Sequence, residues 1–303
     1  MIDRRRMLAV ATAFAVLMAA GPAGSQESAP AKLKVLATFS ILGDLVRNVG
    51  GDRVEVATLV GPNSDAHVYA PAPADAKKVA DAALVITNGL GFEGWMGRLV
   101  KASGSKAPLV VATKGVKERQ AQGGHSHGGA DPHAWQSVAN AKVYVANIRD
   151  ALVSADPAGK AAYEANATAY LDKLDALDND VKAAVAAIPA DRRKVISTHD
   201  AFGYFQQAYG VEFIAPQGVS TEAEPSARDV ARIITQVKKQ KIPAVFLENI
   251  TDARLMQRIA QESGARIGGK LYSDALTDEK GDAPTYIELM RHNIKTLSAA
   301  LMT

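Results

Sequence analysis

The chain contains no cysteine. Disulfides are therefore excluded, and any metal site must be built from nitrogen and oxygen ligands. The thiol that would carry an N-terminal lipid is missing too, so the mature protein is expected not to be lipid-anchored. Aromatic residues are scarce, at 6%, which argues against a base-stacking surface for nucleic acid. Charge of one sign is also lacking. The formal net charge is +3, but Arg4, Arg5 and Arg6 against Asp3 account for +2 of it and leave +1 for the rest. No nucleic-acid or membrane-surface partner follows from that balance. The apolar run Met7–Ala20 has 14 residues, too few to cross about 30 Å of hydrocarbon at about 1.5 Å per residue. It follows three arginines and precedes small and polar residues, so residues 1–25 read as a secretory signal. "DRRRML" resembles a twin-arginine export segment. No glycine-rich phosphate loop is present, and no serine sits in a nucleophile elbow.

The remaining length suffices for two medium domains with real cores. "LKVLATF" (33–39) and "VEVATLV" (54–60) read as strands, and "SILGDLVRNVG" between them as a helix ending in glycine. "DAKKVADA" (75–82) reads as a helix, and "ALVITNG" and "PLVVAT" as further short strands. The rhythm returns late, with strands at 194–198, 212–216, 244–248 and 265–273 and a last helix from about Pro284. Alternating strands and helices predict parallel sheets covered by helices. The expected fold is thus α/β, with lobes over 32–155 and 190–303. Residues 156–188 join them. There Tyr163, Ala167, Tyr170, Leu174, Leu177, Val181, Ala184 and Ile188 recur at steps of three or four, one face of a single long helix. Asp156 is the expected N-cap and Pro157 suits the first helical position.

Only six histidines occur, and three of them fall within the nine residues 125–133. His67 follows the second strand. His133 stands in "DPHAW", where a loop enters a helix. His199 stands in "ISTHDAF", at the carboxyl end of a strand, and Asp274 follows the last strand. In open parallel sheets ligands bind outside those strand ends. A lone histidine is more often a surface or core residue than a ligand. The joint placement of three imidazoles and a carboxylate on such connections instead makes a four-ligand set suited to zinc in a cleft between lobes. Asp200 and Glu248 are candidates to orient the imidazoles. Glu222 and Glu224 are candidates to cap the helix at Pro225 or to bond around the site. Asp65 and Tyr69 are read as shaping the His67 loop, and His292 as a surface residue.

The segments "SDAHVYAP", "DPHAW", "THDAFGYFQQAYGVE", "STEAEPSARDVARI", "VFLEN" and "LYSDAL" resemble the metal-binding receptors of ABC uptake systems for zinc and manganese, over the whole mature chain. By position, the family's ligands fall on His67, His133, His199 and Asp274. The resemblance implies two α/β lobes, one rigid connecting helix and a metal buried between them. It implies a periplasmic receptor that passes zinc to a membrane permease. A zinc-donating periplasmic protein is a further candidate partner, nucleic acid is not, and the protein is expected to act as a monomer. Manganese-binding relatives and adhesins share the architecture but commonly place a carboxylate at the third ligand position, where this chain has His199. A catalytic zinc would leave its fourth position to water; here Asp274 fills it, so no enzyme is expected. "GGHSHGG" resembles the histidine-bearing loop of zinc-binding members, and His125 and His127 are read as transient capture ligands on a glycine-flanked segment. Deleting 123–129 should therefore slow zinc uptake in stopped-flow, or remove a second, weaker zinc from a titration, while the tight site survives. An unchanged rate and stoichiometry would reduce the segment to a spacer.

Overall fold

The computed structural model describes residues 31–121 and 129–302. The expected signal segment, His125 and His127 lie outside the described residues. The first lobe runs β1 (Leu33–Phe39), α1 (Ser40–Gly50), β2 (Val54–Val60), α2 (Pro73–Asp81), β3 (Leu84–Thr87), α3 (Met96–Ser103) and β4 (Leu109–Val111), and ends in α4 (Val138–Ala155). After α5 (Lys160–Ala187), the second lobe runs β5 (Lys194–Ile196), α6 (Gly203–Tyr209), β6 (Glu212–Ile214), α7 (Ala227–Gln240), β7 (Ala244–Glu248), α8 (Ala253–Ser263), β8 (Arg266–Leu271) and α9 (Tyr286–Leu301). No helix among the described residues is long and apolar enough to cross a membrane.

Each lobe holds one four-stranded sheet, in the orders β2-β1-β3-β4 and β6-β5-β7-β8. Every strand pair is parallel. Parallel sheets carry helices on both faces, so their inner strands are apolar throughout. The run Val35–Phe39 and all four residues of β3 are accordingly buried. In both sheets the chain first steps to one side of the starting strand and then returns to the other. That reversal lies between β1 and β3 in one lobe and between β5 and β7 in the other. The crevice beyond the carboxyl ends of the strands at such a reversal is where ligands bind in open α/β sheets.

The helices follow from spacing. Ile41, Leu42, Leu45, Val46 and Val49 of α1 are fully buried, at steps of one to four that form one face. A Cβ on Gly43 would come within 2.5 Å of Thr58 Cγ2, so glycine lets α1 lie directly on β2. The joining segment is a single helix, as its stripe predicts, but its start differs. Pro157–Gly159 form a 3-10 turn before α5 begins at Lys160. The Asp156 carboxylate makes no cap bond there; its Oδ2 accepts from Arg53 Nε at 3.0 Å, Arg53 Nη2 at 2.8 Å and Tyr163 hydroxyl at 2.8 Å. A guanidinium and a phenol thus compete for the oxygen that would have capped the helix. Near the other end Val185 is buried and Ala184 only half-buried, because 28 residues at 3.6 per turn drift off a strict seven-residue repeat.

Helix α5 packs on α1 and α4 of the first lobe and on α6 and α9 of the second. One continuous apolar cluster runs from β1 and α1 through Trp135, α4 and α5 to α9 and β8. A separate cluster lies between α7, α8, β5 and β7. Leu177 of α5 is fully buried in the shared cluster. Leu177→Ala should lower stability by about 2–5 kcal/mol through lost burial and the cavity left behind. Denaturant unfolding measures this, and a loss within about 0.5 kcal/mol would mean that α5 is not part of the shared core.

Candidate metal centre

His67, His133, His199 and Asp274 come together, one ligand atom of each lying within 4.8 Å of every other. His67 Nε2 is 3.2 Å from His133 Nε2 and 3.2 Å from Asp274 Oδ2. His199 Nε2 is 3.1 Å from Asp274 Oδ2, and His133 Nε2 is 3.6 Å from Asp274 Oδ1. Asp274 Oδ1 is buried with no hydrogen-bond partner. The side chains of His133, His199 and Asp274 have no exposed surface, and that of His67 is 5% exposed. A buried carboxylate with one oxygen lacking a donor, set among three imidazole nitrogens, fits a cation.

Each ligand is fixed by local chemistry. The His67 loop follows β2, and the Asp65 carboxylate accepts from the His67 N–H at 2.8 Å. Trp95 Nε1–H donates to Ala66 O at 2.9 Å and holds the loop against the first lobe. The same device recurs at His133. There Asp131 Oδ1 accepts from the His133 N–H at 3.0 Å and from its Nδ1–H at 2.8 Å. Arg119 Nη1 donates to Asp131 Oδ2 at 2.7 Å, and Asn88 Nδ2 donates to Pro132 O at 2.9 Å. His199 leaves the end of β5 at the strand reversal. Glu248, at the end of β7, accepts from Thr198 N–H at 2.8 Å, His199 N–H at 3.1 Å and His199 Nδ1–H at 2.5 Å. Asp274 follows β8, and the preceding Ser273 carbonyl accepts from Trp135 Nε1–H at 2.9 Å and Gln136 Nε2–H at 2.7 Å. The first lobe thus grips the loop that carries the second lobe's carboxylate.

A carboxylate on Nδ1 fixes the tautomer and leaves Nε2 free for a metal. His133 and His199 have this support, and among the described residues no carboxylate orients His67. Glu248 and Asp200 are the candidates that the sequence offers for this task. Glu248 performs it for His199. Asp200 does not; the carboxylate behind His133 is Asp131, and burial pushes the Asp200 carboxyl up. The missed signal was the spacing Asp-x-His, which occurs at both 65–67 and 131–133. Two residues is the reach at which a carboxylate bonds a following N–H. Glu222 and Glu224 do not cap α7. Ser226 does, its Oγ accepting from Asp229 N–H. Tyr69 shapes its loop by donating to Asp75 Oδ2 at 2.7 Å. His292 is half-buried on the last helix, its Nε2 donating to Lys270 O at 3.0 Å.

The electrostatics are those of a cluster with fixed negative charge. Burial works against a charged His133, but Asp274 and Asp131 outweigh it and push the imidazole up to about 9. Burial likewise opposes charge on His199, yet Glu248 and Asp274 raise it well above the usual range. Burial dominates at His67 and lowers it. Burial would raise Asp274, but His199 and His133 hold it well below the ordinary carboxylate range. The carboxylates thus favour positive charge on His133 and His199, the same sign of charge that a bound cation would bring.

Two lobes closed on a buried set of three imidazoles and one carboxylate define a metal receptor. The chain belongs to the ZnuA family, the periplasmic component A of zinc-uptake complexes, whose profile matches residues 35–300. It is 35% identical over 267 residues to the iron-binding protein YfeA of Yersinia pestis, covering 88% of this chain and 86% of that one. It is 36% identical over 269 residues to the manganese-binding lipoprotein MntA of Halalkalibacterium halodurans, covering 89% and 88%. The periplasmic zinc-binding protein TroA from Treponema pallidum superposes with a TM-score of 0.84 at 31% identity, over 89% of this chain and 99% of that one. The protein is thus a metal-binding receptor of an ABC transporter and not an enzyme, and such receptors work with a membrane permease and its ATPase. One expectation is corrected. MntA and further relatives are named lipoproteins, so the reading of this protein as not lipid-anchored does not stand.

Because Nε2 must be unprotonated to ligate and the carboxylates raise His133 and His199, an ion entering at neutral pH should displace protons from these two rings. Binding should release roughly two protons at pH 7, read by calorimetry in buffers of different ionisation enthalpy. Protons compete below the raised imidazole values, so affinity should rise with pH towards about 9. An affinity that levels off at the ordinary histidine value near ~6.5 would show that the carboxylates do not hold these protons.

Proposed function

We propose that the cargo is zinc, held by Nε2 of His67, His133 and His199 and by the Asp274 carboxylate, for delivery to the permease. The observation that carries this reading is the convergence of three imidazole nitrogens and one carboxylate within 4.8 Å. Zinc takes four nitrogen and oxygen ligands without geometric preference, and imidazole suits it. The export segment fits a receptor that meets its metal outside the cytoplasm. Manganese is the second reading, and one observation favours it. Asp274 Oδ1 has no other partner, so the carboxylate can give both oxygens and enlarge the coordination number, as a harder ion prefers. The relative MntA is named for manganese.

Metal analysis of protein purified without chelator, followed by competition calorimetry, separates the two. Zinc should bind tightly with one equivalent, and His133→Ala should weaken it by at least two orders of magnitude, since both a ligand and its Asp131 support are lost. His199→Glu should weaken zinc and narrow its lead over manganese. Comparable binding of both metals by the wild type would remove the zinc assignment and leave the metal receptor standing.

A further inference from the structure

Next to the ligand cluster lies a second polar cavity of about 360 Å³, lined by the carboxylates of Asp65, Glu222, Glu224 and Asp252. Two of these are engaged. Asp65 accepts from His67 N–H and, at 2.5 Å, from the Thr221 hydroxyl. Asp252 caps α8 and pairs with Arg254 at 2.5 Å. Glu222 and Glu224 are exposed, with no ion pair and no side-chain hydrogen bond among the described residues, although Glu224 lies within electrostatic reach of Arg254. Thr198 and Gln217 line the same cavity and are only 2% and 7% exposed. Thr198 Oγ1 and Gln217 Oε1 are both buried without a hydrogen-bond partner.

Carboxylates beside neutral oxygens that lack donors call for a positive ligand that brings its own O–H donors. A divalent ion that keeps its water shell is such a ligand. Direct ligation is not offered here: the close convergence of three or more ligand atoms occurs, among the described residues, at the histidine cluster alone. The cavity is lined by chain neighbours of two ligands. Asp65 and Val68 bracket His67, the one ligand whose side chain keeps any exposure, and Thr198 directly precedes His199.

We propose that this acidic cavity is a capture site for hydrated divalent metal ions, from which the ion sheds its water and enters the ligand cluster past His67. The proposal rests on the reading of that cluster as the cargo site. Clefts lined by charge of one sign concentrate counter-ions and raise association rates by about 10- to 1,000-fold.

The test is stopped-flow mixing with zinc chloride, read by the fluorescence of Trp135, whose ring lies 5.3 Å from that of His133. Glu222→Gln with Glu224→Gln, at exposed positions outside the ligand set, should slow association by about tenfold at low ionic strength. The gap should close in about 1 M salt, where the Debye length falls to roughly 3 Å. Dissociation, chased with a chelator, should keep the wild-type rate. Glu164→Gln with Asp172→Asn on α5, which removes the same charge elsewhere, should keep the wild-type association rate. An association rate equal to that of the wild type, or slowed no more than in the α5 pair, would overturn the capture site while leaving the cargo site intact. So would a loss that appears only in dissociation. A wild type that takes up no zinc at equilibrium would remove the cargo reading and the capture site with it.

Discussion

A carboxylate with no exposed surface must have its charge balanced within a few ångströms, and Asp274 is such a group, placed where nothing but three imidazoles can balance it. Much of the structure around it answers to that constraint. Asp131 and Glu248 hold two of the imidazoles by Nδ1 and add negative charge of their own. Arg119 pairs with Asp131, so two of the three carboxylates, Asp274 and Glu248, are left facing the imidazoles, and that negative charge favours a cation among the rings.

The same constraint explains how the lobes are joined. A cluster divided between two sheets keeps its geometry only if the sheets do not drift. The apolar core is continuous through α4, α5 and α9. Hydrogen bonds cross from lobe to lobe close to the site. Trp135 and Gln136 donate to Ser273 O, the Tyr286 hydroxyl donates to Trp135 O at 2.7 Å, and Leu276 N–H donates to Ser40 Oγ at 3.0 Å. The His67 loop reaches across as well, through Asn63 N–H to Leu276 O at 2.8 Å and through Thr221 to Asp65. These contacts lie close to the site, and the shared core lies behind them.

Much of this was legible in the chain. The strands 33–39, 54–60 and 244–248 carry apolar runs bounded by polar residues or glycine, and they form where those runs lie. The stripe on α5 marks an uninterrupted helix because a 3.6-residue period needs no distant partner to be recognised. The ligands were readable because each stands on a loop directly after a strand or before a helix, in a chain with few histidines to choose from. What failed were choices between neighbouring oxygens. Asp156 bonding Arg53 and Tyr163 instead of capping the helix, Asp131 rather than Asp200, and Ser226 rather than Glu222 or Glu224 all turn on which donor stands within about 3 Å, and sequence order does not carry that distance.

The division follows the range of the forces involved. Periodicity, cap residues, strand ends and ligand types are local properties, and the sequence by itself determined the two α/β lobes, the long helix between them and the donor chemistry of three imidazoles and one carboxylate. Only the tertiary structure decided that these four groups meet with no water-accessible surface on three of them, that two imidazoles are backed by carboxylates and the third is not, and that an acidic cavity opens beside the least enclosed ligand. Those outcomes depend on how two sheets are docked, and docking is set by packing and hydrogen bonds between residues as far apart in the chain as Ser40 and Leu276.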